Sequence, residues 1–221
     1  MSPLLHVHPD NPQRRLLQVA AQTLADGGLV AYPTDTSYAL ACHIGDKRAL
    51  DRIIALRRLR KNHQFTLACR DLSELGVYAR VDNSSYRLLK RATPGPFTFS
   101  LRASREVPKR LVHEKRRTIG IRVPDHPVAQ MLLELMGEPI MTTTLRLPDV
   151  DGQKQDPFID GEDIADRIGK QLDVIIDAGA CGLEESTVID LTEDVPQLVR
   201  QGKGELDLSL IHISEPTRPK R

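Results

Sequence analysis

A chain of 221 residues, 40% of them hydrophobic, can bury the core of one α/β domain without covalent staples. Its three cysteines, Cys42, Cys69 and Cys181, show no CxxC spacing, which excludes a zinc ribbon or a disulfide framework. No eighteen apolar residues follow one another, which excludes a membrane-spanning helix. The formal net charge of +1 conceals two basic segments: seven Lys or Arg against one acid from Lys47 to Lys61, and eight against two from Arg102 to Arg122. Such segments form a polyanion site if the fold brings them together, or two solvated faces if it does not.

The start, "MSPLLHVHPDNPQRR", lacks a basic segment leading into an apolar run, so a soluble, cytoplasmic protein is expected. Apolar spacing predicts a first helix from Asn11 to Asp26, stopped by "DGG", and then a strand "LVAYPT" that Pro33 must end or bend. A helix over 46–59 opens on Asp46 as its N-cap; "QFTLAC" is a strand, and 71–79 a short capped helix. Another helix over 82–92, with Asp82 as cap, is halted by "TPGP", after which "FTFSLRA" alternates as a half-buried strand. "RTIGIRVP" is a strand, 125–137 a helix from Asp125 to Gly137, and "PIMTTT" a strand. An amphipathic helix over 160–172 precedes the short strands "DVIIDAG", "STVIDL" and "PQLVRQG". The tail 207–221 breaks this pattern and reads as disordered, or as translated adapter sequence.

Polar residues gather where strands end. "LVAY" runs into Thr34, Asp35, Thr36 and Ser37, a set that suits a small polar ligand or else a turn bonding its own backbone. Arg122 closes "TIGIR", Ser186 and Thr187 open "STVIDL", and Arg200 closes "LVR". A guanidinium at a strand end forks a carboxylate or serves as a structural ion pair. His6 and His8 share one face of an extended segment but have no third ligand within sequence reach, and "DGQKQDPFIDGED" lacks the spacing of a calcium loop. No metal site is assigned, and no covalent nucleophile.

Taken together, "YPTDTSYALAC", "TPGPFTFSL", "RTIGIRVPDHPVAQ", "PIMTTT", "DAG" and "ESTVIDLTED…LVRQG" resemble the YrdC/YciO family of threonylcarbamoyl-AMP synthases and their relatives. The similarity is greatest to the YciO branch, through "HPDNPQ", "FTLACRDLSEL", "EVPKRLVHEKRRTIGIRVP" and "MGEP". It covers residues 6–206 and implies a single-domain twisted open mixed sheet with flanking helices and a positively charged concave face. It also implies synthesis of threonylcarbamoyl-AMP from L-threonine, bicarbonate and ATP, with Mg2+ accompanying the ATP, for tRNA modification. The other activity credited to the family is binding of double-stranded RNA, which a catalytically degenerate member would retain.

Carried over to this sequence, the resemblance places Thr34, Thr36, Arg122 and Ser186 at the threonine, and Arg57, Thr144, Arg146 and Arg200 at the nucleotide. Arg58, Arg60, Lys61, Lys115, Arg116 and Arg117 then form a patch for RNA or phosphate. Aromatic residues make up only 4% of the chain and Trp is absent, so stacking of single-stranded bases is not expected. Three positions depart from the synthase pattern: its Lys-x-Arg reads Arg57-Arg58-Leu59, its Ser-x-Asn reads Thr144-Leu145-Arg146, and a strand histidine falls at Ala68.

Overall fold

The computed structural model describes residues 3–60, 63–148 and 155–205. Lys61 and the tail 207–221 lie outside the described residues. Among the described residues, six α-helices flank one mixed sheet. The helices are α1 (Arg14–Ala25), α2 (Lys47–Arg57), α3 (Leu72–Tyr78), α4 (Asn83–Ala92), α5 (Pro127–Met136) and α6 (Gly161–Ile168). Local chemistry sets their starts. The carboxylates of Asp46, Asp71, Asp82 and Asp160 each accept a backbone N–H in the first turn, satisfying donors that have no partner within the helix. At α5 the expected cap moves by one residue: His126 Nδ1, not Asp125, accepts from Val128 N at 3.2 Å, with Pro127 in the first turn. Gly137 ends that helix at φ 68, a left-handed conformation that glycine adopts without penalty. The helix expected over 160–172 divides after Ile168, and Gly169–Gln171 tightens into a 3-10 turn.

The strands are β1 (Leu4–His6), β2 (Val30–Tyr32), β3 (Ala39–His43), β4 (Thr66–Ala68), β5 (Ala79–Arg80), β6 (Phe97–Ala103), β7 (Thr118–Arg122), β8 (Ile140–Thr144), β9 (Val174–Asp177), β10 (Thr187–Asp190) and β11 (Gln197–Arg200). Their spatial order is β1-β9-β2-β3-β8-β4-β7-β6-β10-β11, with β5 paired to β6. Strands β1, β3 and β5 were not expected from sequence. Neighbours β1/β9, β2/β9, β4/β7 and β6/β10 run parallel, and the remaining pairs run antiparallel.

Because strand side chains alternate, this sheet has two unlike faces. On one, Leu40, Leu67, Phe99, Leu101, Ile119, Ile121 and Met141 join residues of α2, α3, α4 and α6 in a continuous core. On the other, Val30, Tyr32, Ala39, Ala41, Ile140, Val174 and Ile176 pack with α1 and α5. None of the buried residues in that second core comes from β6, β7 or β10. On that part of the sheet the same face presents polar side chains and forms the floor of a cavity.

Candidate functional site

The floor is built by cross-strand register. Gly120 of β7 lies opposite Thr66 of β4 and Ser100 of β6, while Thr66 also faces Thr142 of β8. A Cβ at position 120 would stand 2.6 Å from Thr66 Oγ1 and 3.0 Å from the Phe65 carbonyl, so the neighbouring strand admits only glycine there without a shift. Around it opens a cavity of about 220 Å³ whose lining includes Thr66, Thr98, Ser100, Arg122, Ser186 and Arg200. Several hydroxyls are already oriented. Tyr32 Oη and Thr142 Oγ1 share a bond of 2.8 Å, Thr98 and Ser186 one of 2.7 Å, and Gln64 Nε2 donates to Ser100 Oγ at 2.8 Å.

Arg122 forms one wall, and its fork is held from behind. Nη2 donates to Asp35 Oδ1 at 2.5 Å, and Nη1 to Thr36 Oγ1 at 3.3 Å. Thr36 in turn shares a 3.0 Å bond with Thr34, whose hydroxyl donates to the Ser37 carbonyl at 2.6 Å. Thr34 and Thr36 are buried and are not among the groups lining the cavity; they stand one layer back and fix Arg122. Arg122 and Asp35 are each 9% exposed at the side chain. Arg122 Nε and Asp35 Oδ2 are buried without hydrogen-bond partners among the described residues, so this pair keeps unused polar capacity.

His63 and Gln64 lie between this cavity and a second space, a groove of about 490 Å³ bordered by Arg57, Arg58, Arg60 and Arg146. Arg57, the last residue of α2, donates through Nη1 to Thr143 Oγ1 at 3.0 Å and to the Thr144 carbonyl. Arg58 caps α2 at φ 47, a conformation uncommon for a residue with a Cβ, and its exposed side chain borders the groove. Arg146 reaches Glu185 Oε1 at 3.3 Å, and Glu185 Oε2 accepts from Arg200 Nη1. Where the synthase pattern has a second cation, Leu59 packs against the core, and Ala68 is fully buried. Arg58, Arg60 and Arg146 nevertheless bring further positive charge to Arg57 at the groove. His63 also borders a third cavity of about 210 Å³ beside Lys109, Arg110 and Lys115. Lys115, Arg116 and Arg117 are exposed, and Arg116 approaches Asp190 at 3.9 Å.

His63 is pushed down to about 4 by burial and by the Arg57 and Arg146 charges, so at neutral pH it is an uncharged ring among cations. Unfolded, it would titrate near 6.5, so between roughly pH 4 and 6.5 the unfolded chain binds more protons and stability rises with pH. The full contribution is present above 6.5 and is lost as pH falls towards 4. The His63→Gln variant should show less of that slope, by about 2 kcal/mol between pH 7.5 and 4.5, in urea unfolding at both pH values. Equal slopes in the two proteins would show that His63 is not held neutral.

Sequence reasoning missed His63, Gln64, the pairing role of Asp35, and Glu185. It also passed over Thr66, Thr98, Ser100 and Thr142, although "FTFSL" carries a hydroxyl at every second residue and "MTTT" carries three in succession.

These features define an α/β protein whose open sheet face holds a small hydroxyl-lined cavity beside a cationic groove. A family model for Sua5/YciO/YrdC, described as Telomere recombination, matches residues 22–202, and the chain belongs to that family. It is 51% identical to YciO of Escherichia coli over 206 residues, covering 93% of this chain and 98% of that protein. The crystal structure of that relative superposes with a TM-score of 0.89, covering 96% of this chain and 100% of the other. Threonylcarbamoyl-AMP synthase of Vibrio vulnificus is 31% identical over 189 residues, 84% of this chain and 98% of the synthase. Sua5 of Pyrococcus abyssi, solved in complex with L-threonine, matches at 28% identity and TM-score 0.84, covering 96% of this chain and 63% of that one. Among the described residues no helix is long and apolar enough to cross a membrane.

Proposed function

We propose that the chain binds L-threonine in the hydroxyl-lined cavity and ATP along the cationic groove, and joins them through bicarbonate into threonylcarbamoyl-AMP. The observation that carries this reading is the shared border at His63 and Gln64, which sets a compact cavity holding Arg122 next to a groove holding Arg57, Arg58, Arg60 and Arg146. The first space matches an amino-acid carboxylate and hydroxyl, and the second a polyphosphate. In the reaction the threonine amino group and bicarbonate form N-carboxythreonine with loss of water. One of its carboxylate oxygens then attacks the α-phosphorus of ATP, and the bond to pyrophosphate breaks. Each reactant brings an anionic group, the carboxylate of threonine, bicarbonate and the triphosphate, so the protein contributes by holding like charges together among cations and fixed donors. Mg2+ enters on the triphosphate as part of the substrate. The threonine complex of the Pyrococcus relative supports the amino-acid half of this reading.

The test follows radiolabelled threonine into threonylcarbamoyl-AMP with ATP, bicarbonate and Mg2+, beside an Arg57→Ala control. Product from the wild type, reduced by at least tenfold in the control, is the expected result. No product at any protein concentration would refute the synthase reading. A second reading, binding of duplex RNA, is favoured by the exposed Arg58, Arg60, Lys115, Arg116 and Arg117, and by His63 bordering both the groove and the Lys109–Lys115 cavity. Those cations would contact phosphates, so its mark is affinity that falls steeply with salt and is indifferent to sequence.

A further inference from the structure

We infer that Glu185 is the specificity-determining residue of the groove: a built-in carboxylate counter-ion that fastens Arg146 to Arg200 and that an incoming polyphosphate must displace. Oε1 lies 3.3 Å from Arg146 Nη1 and Oε2 accepts from Arg200 Nη1, so one carboxylate engages two guanidinium groups. The two arginines belong to different spaces: Arg146 borders the groove, and Arg200 lines the small cavity. Glu185 therefore ties the rim of one to the wall of the other.

Its own main chain is anchored. Lys203 N donates to the Glu185 carbonyl at 3.0 Å, and a Cβ at Gly202 would come within 2.2 Å of that oxygen, so the two segments touch backbone to backbone. Arg200 is braced separately, Nη2 donating to the Ser186 carbonyl at 2.7 Å. The side chains of Glu185 and Arg146 are 17% and 18% exposed, and Arg200 is 39% exposed, so solvent reaches the trio and the carboxylate has a way out. Arg200 Nε is buried without a partner among the described residues, a further donor on the same fork. A single negative charge shared by two cations leaves the trio with one net positive charge. A multiply charged anion replaces it with gain, whereas a neutral ligand has nothing to offer in exchange.

This inference rests on the reading of the groove as an anion site, not on the synthase chemistry. Inorganic pyrophosphate is therefore the probe, since it carries neither nucleoside nor amino acid. Calorimetric titration of the full chain should rank affinity in the order Glu185→Gln, then wild type and the double variant Glu185→Gln/Arg146→Gln about equal, then Arg146→Gln. Glu185→Gln should bind about tenfold more tightly than wild type. Weaker or unchanged binding by Glu185→Gln would overturn the proposal, showing that the carboxylate only positions the arginines. Should that single variant not fold, the double variant decides: pyrophosphate binding equal to wild type supports the proposal, and binding no tighter than Arg146→Gln alone refutes it. Absence of pyrophosphate binding in every variant would also refute it. Failure of threonylcarbamoyl-AMP synthesis, with the ranking intact, would refute the synthase reading alone.

Discussion

Asp35→Ala should lose about 3–5 kcal/mol of stability, because it strands Arg122 in a site where both partners are 9% exposed at the side chain. For a chain of this size that corresponds to a fall in Tm of roughly 10 °C. The cost arises from the survivor: a buried guanidinium without its carboxylate has lost water and keeps only the neutral, 3.3 Å bond to Thr36 in return. Removing both charges should therefore be milder than the sum of the single changes. Urea unfolding of Asp35→Ala, Arg122→Met and the double variant measures that coupling. A loss below about 1 kcal/mol for Asp35→Ala would mean that water reaches the pair and screens it.

Arg122→Lys is expected to lower L-threonine affinity about a hundredfold while leaving the fold largely intact. Lysine keeps the positive charge that Asp35 needs, so the Asp35→Ala penalty should not appear. What it loses is the planar fork: Nη2 is committed to Asp35 and Nη1 to Thr36, and a rigid guanidinium held from behind can still present a defined edge to the cavity. An ammonium group held by Asp35 has no such edge. Equilibrium dialysis with labelled threonine, beside a thermal melt, separates the two effects. Threonine binding equal to wild type in a well-folded Arg122→Lys protein would remove Arg122 from the amino-acid site.

The helices were legible because their signals are local. Asp46, Asp82 and Gly137 cap elements within a few residues of themselves, and apolar spacing supplies the buried stripe. The expected alternation also located β6. Strands β1 and β3 escaped for different physical reasons. Three residues of β1 become a strand only by pairing with β9, some 170 positions away. Most of β3 is buried on both faces, so its apolar run lacks alternation.

The site divides in the same way. Arg122, Ser186 and Arg200, noted at their strand ends, and Thr144, named through the resemblance, all line the cavity, although Thr144 and Arg200 were expected at the nucleotide. Asp35 and Glu185 could not be found by spacing, since their partners come from β7, from β11 and from the segment after β8. A carboxylate near a turn looks like surface until the fold brings a cation to it.

The division of the sheet into an apolar face under the helices and a polar face at the cavity has a further consequence. Along β6, Phe97, Phe99 and Leu101 belong to the core, whereas Thr98 and Ser100 line the cavity. A change at an even position there alters what the molecule can hold without touching what keeps it folded. Descendants of such a strand can exchange one ligand for another by single mutations while their scaffold drifts on an independent course.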